Sequence, residues 1–334
     1  MPDAGRTLTY SAALNEALHE EMLRDDDVFL MGQDIAAWGD GGGVFSVTKG
    51  LHARFGDARV RDTPISEEGM VAIAVGAAIS GTRPVVELMY SDFVTFAMDP
   101  LVNQAAKLRY MFGGQVDVPL VVRTNLGASG GKAAQHSQSL ESWFVHTPGL
   151  LVAVPSSPAD AKGLLKTAIR DANPVLFFEH KSLYFMKGPV PEDDDLVIPF
   201  GEARVWRTGS DATVVATHAM LYHALAAAES LASEGIELEV IDPRTLVPLD
   251  IATIVRSVER TNRLLVCHEA PRRGGWAAEV AMQVGEQAFD ALDAPVARVC
   301  GADVPVPYSA SLEPVVVPGI EQVVAGMRAL LEGN

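Results

Sequence analysis

Apolar residues recur along the chain with two alternating periods. From Ser11 to Leu23, Ala12, Leu14, Leu18 and Met22 fall near helical spacing, and Val28–Met31 then reads as a short buried strand. After a glycine- and acid-rich loop, Gly39–Gly43, the stretch Ser46–Phe55 predicts a second helix. Pro84–Met89 and Pro119–Arg123 are short, apolar and β-branched, the pattern of strands covered on both faces of a parallel sheet. Leu151–Val154 and Val175–Glu179 repeat it around a predicted helix over Ala159–Arg170. Further on, strands over Thr213–Thr217, Glu237–Ile241, Leu264–Cys267 and Val296–Val299 alternate with helices over Ala219–Ser233, Ile251–Arg260 and Ala277–Ala291.

Alternation of this kind predicts an α/β fold, with two doubly wound domains built on mostly parallel sheets. Between them, Lys187–Pro199 holds Gly188, Pro189, Pro191, Pro199 and the acidic run Glu192–Asp195, which is linker composition. The expected division is a first domain over 1–186, a linker over 187–200 and a second domain over 201–334.

The 334 residues suffice for two proper cores, and 48% hydrophobic with 21% charged residues excludes a disordered or fibrous chain. Lys and Arg number 26 against 43 Asp and Glu, a net charge of −17, which disfavours nucleic acid and anionic membranes as partners. Asp25–Asp27 and Glu192–Asp195 are the densest acidic runs and read as solvated loops. The longest apolar run, Val71–Ile79, falls short of the ~20 residues of a membrane span. The polar stretch Met1–Ser11 lacks signal-peptide character, and Cys267 and Cys300 form no CxxC pair; the expectation is a reducing, cytoplasmic setting.

Several motifs fail on inspection. Gly127-Ala128-Ser129-Gly130-Gly131-Lys132 has Leu126 and Ala133 where a phosphate-binding P-loop needs Gly and a hydroxyl residue. No glycine cluster satisfies GxGxxG, and His218 and His223 share no helix face with a carboxylate at metal spacing. Asp62–Met70 is different. Pro64 fixes a turn, Ser66 can cap the following helix, and Glu67 or Glu68 enters its first turn. The helix continues through Val71–Ile79 in small apolar residues, expected to be packed on nearly all faces. A carboxylate there is a capping group or a working acid, and composition alone leaves both open.

Asp62–Glu87 resembles the β subunit of the thiamin-diphosphate-dependent 2-oxo acid dehydrogenase E1 component. The similarity continues through Ala97–Gly114, Gln135-His136-Ser137-Gln138, Thr147–Leu150, Ala161–Leu165 and Asn173-Pro174, then Val240–Thr245 and Asp293-Ala294-Pro295. Glu87–Phe93, Arg109–Gly114 and Glu179-His180-Lys181 lean toward acetoin-dehydrogenase β subunits. His268–Pro271 and Val299–Gly301 lean toward the branched-chain type.

The resemblance implies a transketolase-like pyrimidine-binding domain followed by a transketolase C-terminal domain. It implies an α2β2 heterotetramer with an E1 α subunit, acting on pyruvate, a branched-chain 2-oxo acid or acetoin, and passing the acyl group to a lipoyl-bearing E2. On this reading the Glu67 carboxyl hydrogen-bonds N1′ of the cofactor's aminopyrimidine, with Ile65, Met89 and Phe93 beside the ring. His136 lies where the acyl group meets the lipoyl group. Leu120, Ala168, Ile169, Asp171 and Asn173 match a family potassium site, although Asp-Ala-Asn-Pro also reads as a plain helix stop. The triplet Gly39-Asp40-Gly41 lacks the downstream Asn of the Mg²⁺–diphosphate motif, so Mg²⁺ ligands are expected on the α subunit. Gln33 departs from the family's usual Glu. Two other readings stay open: the β half of a two-component transketolase or carboligase without E2, and a non-catalytic assembly subunit.

Overall fold

The computed structural model describes residues 6–36 and 42–333. The chain divides into two units: residues up to Leu126 with Trp143–Phe200, and Gly127–Ser142 with Gly201 onward.

In the first unit β1 (Thr7–Thr9) runs into α1 (Tyr10–Arg24), whose N-cap Thr9 hydroxyl accepts the Ala12 N–H at 3.2 Å. There follow β2 (Val28–Gly32), α2 (Leu51–Phe55), β3 (Val60–Asp62), α3 (Glu67–Ile79) and β4 (Arg83–Leu88). After two looser helical turns come α4 (Ala106–Met111), β5 (Val121–Leu126), α5 (Glu141–Val145, its first two residues counted with the second unit) and β6 (Leu151–Ala153). The unit closes with α6 (Pro158–Arg170), β7 (Val175–His180) and β8 (Lys187–Pro189). Its parallel strands lie in the order β6-β7-β5-β4-β2-β3. The chain passes from β2 outward to β3, then returns to set β4 on the other side of β2. The winding direction therefore reverses between β2 and β4.

Strands β5 and β7 are buried along their whole length, although β5 (VVRTNL) is half polar and each carries a charge inside. Arg123 on β5 donates to Glu179 on β7 at 2.7 and 3.0 Å and to Glu87 on β4 at 2.8 Å, and the Tyr184 hydroxyl donates to Glu179 at 2.6 Å. Burial opposes the guanidinium's charge, but Glu179 and Glu87 outweigh it and tighten its hold on the proton. A second buried charged seam joins α6 to α1. Lys162 donates to Glu16 and Glu20 at 2.6 and 2.8 Å, and Lys166 to Glu20 at 2.6 Å.

Four local expectations need correction. The helix expected over Ser46–Phe55 is confined to Leu51–Phe55, because Ser46 and Gly50 adopt left-handed backbone (φ 60° and 79°) and the Asn15 amide donates to the Val47 and Lys49 carbonyls at 2.7 and 3.0 Å. Ser66 makes no side-chain cap bond at the start of α3. That helix is also not covered all round: Met70, Val71, Ala74, Val75 and Ala78 are buried, while Ile73 is 63% and Ile79 45% exposed. Finally, the expected linker begins with a strand, β8, which pairs antiparallel with β1 from Thr7↔Pro189 to Thr9↔Lys187.

The second unit contains β9 (Arg204–Arg207), β10 (Ala212–Ala216), α7 (His218–Ala232), β11 (Leu238–Asp242), β12 (Thr245–Val247), α8 (Ile251–Thr261) and β13 (Leu264–Pro271). It ends with α9 (Trp276–Ala288), β14 (Ala297–Gly301), α10 (Glu313–Val316) and α11 (Ile320–Glu332). Its sheet runs β14-β13-β10-β11-β9, parallel except for the edge strand β9, which the sequence pattern did not signal. Val214, Leu221, Val240, Leu265 and Met327 are among the residues of its core. Glu313–Glu332 has a mean hydropathy of 1.3, enough on length and composition for a membrane span. The chain breaks its helix at Val317–Gly319, however, and Val323, Met327 and Leu330 pack into that core.

Candidate active site

In an open parallel sheet, ligands bind outside the carboxyl ends of the strands where the winding reverses. At that point of the first unit Gln33 leaves β2, Thr63 leaves β3 and Met89 leaves β4. The Thr63 N–H donates to the Gly32 carbonyl at 2.9 Å, its hydroxyl reaches the Met70 sulfur at 2.7 Å, and the Asp62 carboxylate takes the Ala36 N–H at 2.7 Å. Those bonds pin the Pro64–Ser66 turn, so α3 starts with Glu67 at this end of the sheet. Glu67 is half-buried with its Oε1 3.5 Å from the Gln33 amide nitrogen, whereas Glu68 is exposed.

Met89 and Phe93 are both half-buried, and Ile65 on the turn is 81% exposed. The Met89 carbonyl accepts from the Asn125 amide, and Phe93 stands edge-on to Tyr90 with ring centres 5.9 Å apart. The Lys181 ammonium lies 5.1 Å from the centre of the Tyr90 ring. Burial, with Asp92 adding to it, pushes the Tyr90 phenol up. Thr124 Oγ1 and Asn125 Oδ1, at the carboxyl end of neighbouring β5, are buried without a hydrogen-bond partner. One carboxyl group, a thioether, an aromatic side chain and unsatisfied polar atoms at one sheet end suit a flat nitrogen heterocycle. The thiamin aminopyrimidine fits this set.

His136 lies in the segment Gly127–Ser142, which packs with the second unit, and is half-buried. Farther along the segment Glu141 is fully buried. Burial, with negative Glu269 adding to it, pushes its carboxyl up to about 7 against its own N–H and the Trp276 indole. His268, whose ring packs 5.3 Å from that of Trp276, is pushed down to about 4 chiefly by burial.

The residues matching a potassium site gather at the opposite end of the first unit's sheet. Val118 N–H donates to the Ala172 carbonyl at 2.9 Å and Val175 N–H to that of Leu120 at 2.8 Å, which brings Leu120 beside the Asp171–Asn173 turn. Arg83 donates to the carbonyls of Ile169 and Asp171 at 3.0 and 3.1 Å, and Asp171 Oδ1 takes the Asn173 N–H and amide at 2.7 and 2.9 Å. Each carbonyl keeps a second lone pair, so the set still fits a hard monovalent cation. Gly39-Asp40-Gly41 lies outside the described residues. Among the described residues no three His, Cys, Asp or Glu side chains gather as a metal site.

Residues 6–187 match the transketolase pyrimidine-binding domain family, and residues 201–323 the transketolase C-terminal domain family. The β subunit of acetoin:2,6-dichlorophenolindophenol oxidoreductase from Cupriavidus necator is 49% identical over 98% of this chain and 99% of its own length. The Bacillus subtilis protein of the same name is 47% identical over 98% of each. The pyruvate dehydrogenase E1 component β subunit of Rhizobium meliloti is 46% identical over 97% of this chain and 70% of that protein. This chain belongs to the E1 β-subunit family.

As an E1 β chain it has the two transketolase-like domains that the resemblance implied. A solved structure described as a split-gene transketolase, inactive β4 tetramer, matches the fold with a TM-score of 0.76 over 98% of this chain and 99% of that one, at 22% identity. Of the residues carried over from E1 β relatives, Glu67 meets Gln33, and Ile65, Met89 and Phe93 share its end of the sheet. His136 sits in the other unit. The carboxylates that hold the His136 loop, Glu269 and Glu313, went unread in the sequence. They follow their partners Ala128 and Gly130 by 141 and 183 residues, and no local pattern joins positions so far apart.

Proposed function

We propose that this chain supplies the activating half of a thiamin-diphosphate site shared with an E1 α subunit. The enzyme so formed would take a two-carbon unit from acetoin or pyruvate and pass it to the lipoyl group of an E2. One observation carries the reading: a half-buried carboxylate, Glu67, stands at the winding reversal beside an amide and next to uncovered apolar side chains. Bound there, the cofactor would supply a carbon acid whose conjugate base attacks the substrate carbonyl. Glu67 would hold the proton it shares with ring N1′, in a setting dry enough for that bond to count. Gln33 would orient the Glu67 Oε1 without placing a second negative charge beside it. Met89, Phe93 and Ile65 would cover the ring and exclude water. His136 would hold a proton toward the lipoyl sulfur as the acyl group leaves.

The two-carbon assignment rests on the relatives' names. Acetoin losing acetaldehyde and pyruvate losing carbon dioxide deliver the same acetyl group. The α partner is supported by the exposed apolar residues Ile65, Ile73, Phe96 and Tyr110 on the first unit, a surface of the kind that subunits cover. Mg²⁺ would be held by the α subunit, and K⁺ by the carbonyls of Leu120, Ala168, Ile169 and Asn173 with the Asp171 carboxylate.

The test is co-expression with candidate α subunits and assay with acetoin, pyruvate and branched-chain 2-oxo acids, with 2,6-dichlorophenolindophenol as acceptor. Acetoin or pyruvate should drive dye reduction. Preference for a branched-chain acid would overturn the two-carbon assignment, and ketol transfer without dye reduction would point to the transketolase-like alternative.

A further inference from the structure

The segment that carries His136 is tied down by carboxylates from far along the chain. Glu269 on β13 accepts the Ala128 N–H, and Glu313 at the start of α10 accepts the N–H groups of Gly130 and Gly131 at 3.0 and 2.9 Å, one on each carboxylate oxygen. Gly130 and Gly131 both have left-handed backbone, φ 65° and 79°, which aims their consecutive N–H groups into one concavity. A Cβ on Gly131 would also crowd the Tyr308 carbonyl at 3.2 Å. On the far side of the loop the Trp276 N–H donates to Ser142 Oγ at 3.0 Å. His136 stands between these anchors, its own N–H donating to the Ala133 carbonyl at 3.4 Å.

We infer that Glu313, seconded by Glu269, is a positioning residue for the acyl-transfer half of the reaction: it fixes the loop that presents His136. The inference rests on the reading of His136 as acting at that step. A glycine-rich loop left to itself spreads over many backbone conformations, so a histidine on it would rarely meet an incoming sulfur. Charge-assisted bonds from one carboxylate to two consecutive amides remove that freedom where the backbone is softest. The alternative, a loop held by packing alone, has little to work with, since Ser129, Gly130 and Gly131 offer almost no side-chain surface. Glu313 is not among the residues proposed to hold the cofactor, so dye reduction should not depend on it.

The experiment compares Glu313→Gln, Glu313→Ala and His136→Ala in the assembled α–β enzyme by three readouts: dye reduction, acylation of a lipoyl domain, and amide hydrogen exchange of residues 127–138. Glu313→Gln keeps the packing but turns one acceptor into a donor facing an N–H. The expected result for both Glu313 variants is exchange faster by about ten-fold or more, lipoyl acylation slower by about ten-fold, and dye reduction within about two-fold. Selective loss of acylation in His136→Ala with none in Glu313→Ala overturns the anchoring role alone. Unselective loss in all three variants overturns the reading of His136 and the inference with it. Unchanged amide exchange in Glu313→Ala also overturns it, because the loop is then held by something else.

Discussion

Glu67 and Glu68 are adjacent in sequence and share the first turn of α3, yet a step of about 100° round the helix separates what they meet. Glu67 turns toward the Gln33 amide and is half-buried; Glu68 is exposed. Glu67→Gln should therefore lower turnover by ~10²–10⁴, the usual worth of a positioned acid–base group, while Glu68→Gln changes it by no more than about three-fold. Proton exchange at the thiazolium C2, followed by NMR in the assembled enzyme, checks the assignment; equal small effects would move the role elsewhere. Glu141 yields a second expectation. Its carboxyl titrates near 7 when folded, against an ordinary value near 4.5 when unfolded, so between those pH values the folded chain keeps a proton that the unfolded chain has lost. Stability contributed at this site thus falls as pH rises from about 4.5 to about 7, by up to ~3 kcal/mol. Glu141→Gln, which mimics the protonated form, should match the wild type near pH 4 and exceed its Tm by several degrees at pH 8. Equal Tm values at pH 8 would contradict the burial argument. The position of Glu67 at the start of α3 can be read from the local motif Asp62–Met70; the burial of Glu141 cannot, because its neighbours Glu269 and Trp276 come from another part of the chain.

The elements themselves were largely legible, since period and apolar runs report local geometry directly. Strand β7 sits where its apolar run puts it, β5 runs on to Leu126 through the polar Arg123, Thr124 and Asn125 where Pro119–Arg123 is expected, and α6 ends where Asp171 breaks it. What the runs concealed is the ion-paired layer across β4, β5 and β7, because pairing depends on strand order rather than on sequence spacing. Arg123 stands between Glu87 and Glu179, each carboxylate on the strand next to its own. Arg123→Met keeps much of the volume but strands the buried Glu179 with only the Tyr184 hydroxyl for company. The substitution should cost about 3–5 kcal/mol in urea unfolding, the penalty of an uncompensated buried charge. A loss below about 1 kcal/mol would mean that Glu179 takes up a proton in the variant at little cost. The failure over Ser46–Phe55 has the opposite origin. Its residues are compatible with a helix, but left-handed Ser46 and Gly50 and the reach of Asn15 decide otherwise.

For the whole molecule, the sequence pattern predicts two contiguous halves, whereas Gly127–Ser142 packs with the second unit although it lies between two stretches of the first. Hydrophobic periodicity cannot reveal such an exchange, because a glycine-rich loop has almost no apolar face to follow. The arrangement has a consequence for how the chain is made. The residues that hold the His136 loop lie 141 and 183 positions beyond it, and at roughly 5–20 residues per second the ribosome needs roughly 7–40 s to deliver them. Until then the first unit can be complete while its loop has nowhere to dock. Nascent chains ending before Glu269 should be nicked within residues 127–142 by a trace of protease that leaves the finished chain whole; equal resistance would show that the loop finds another resting place. The loop that carries the histidine thus gains its last anchor only once the ribosome has passed Glu313, so these bonds form late in the life of the nascent chain, long after the loop itself has been synthesised.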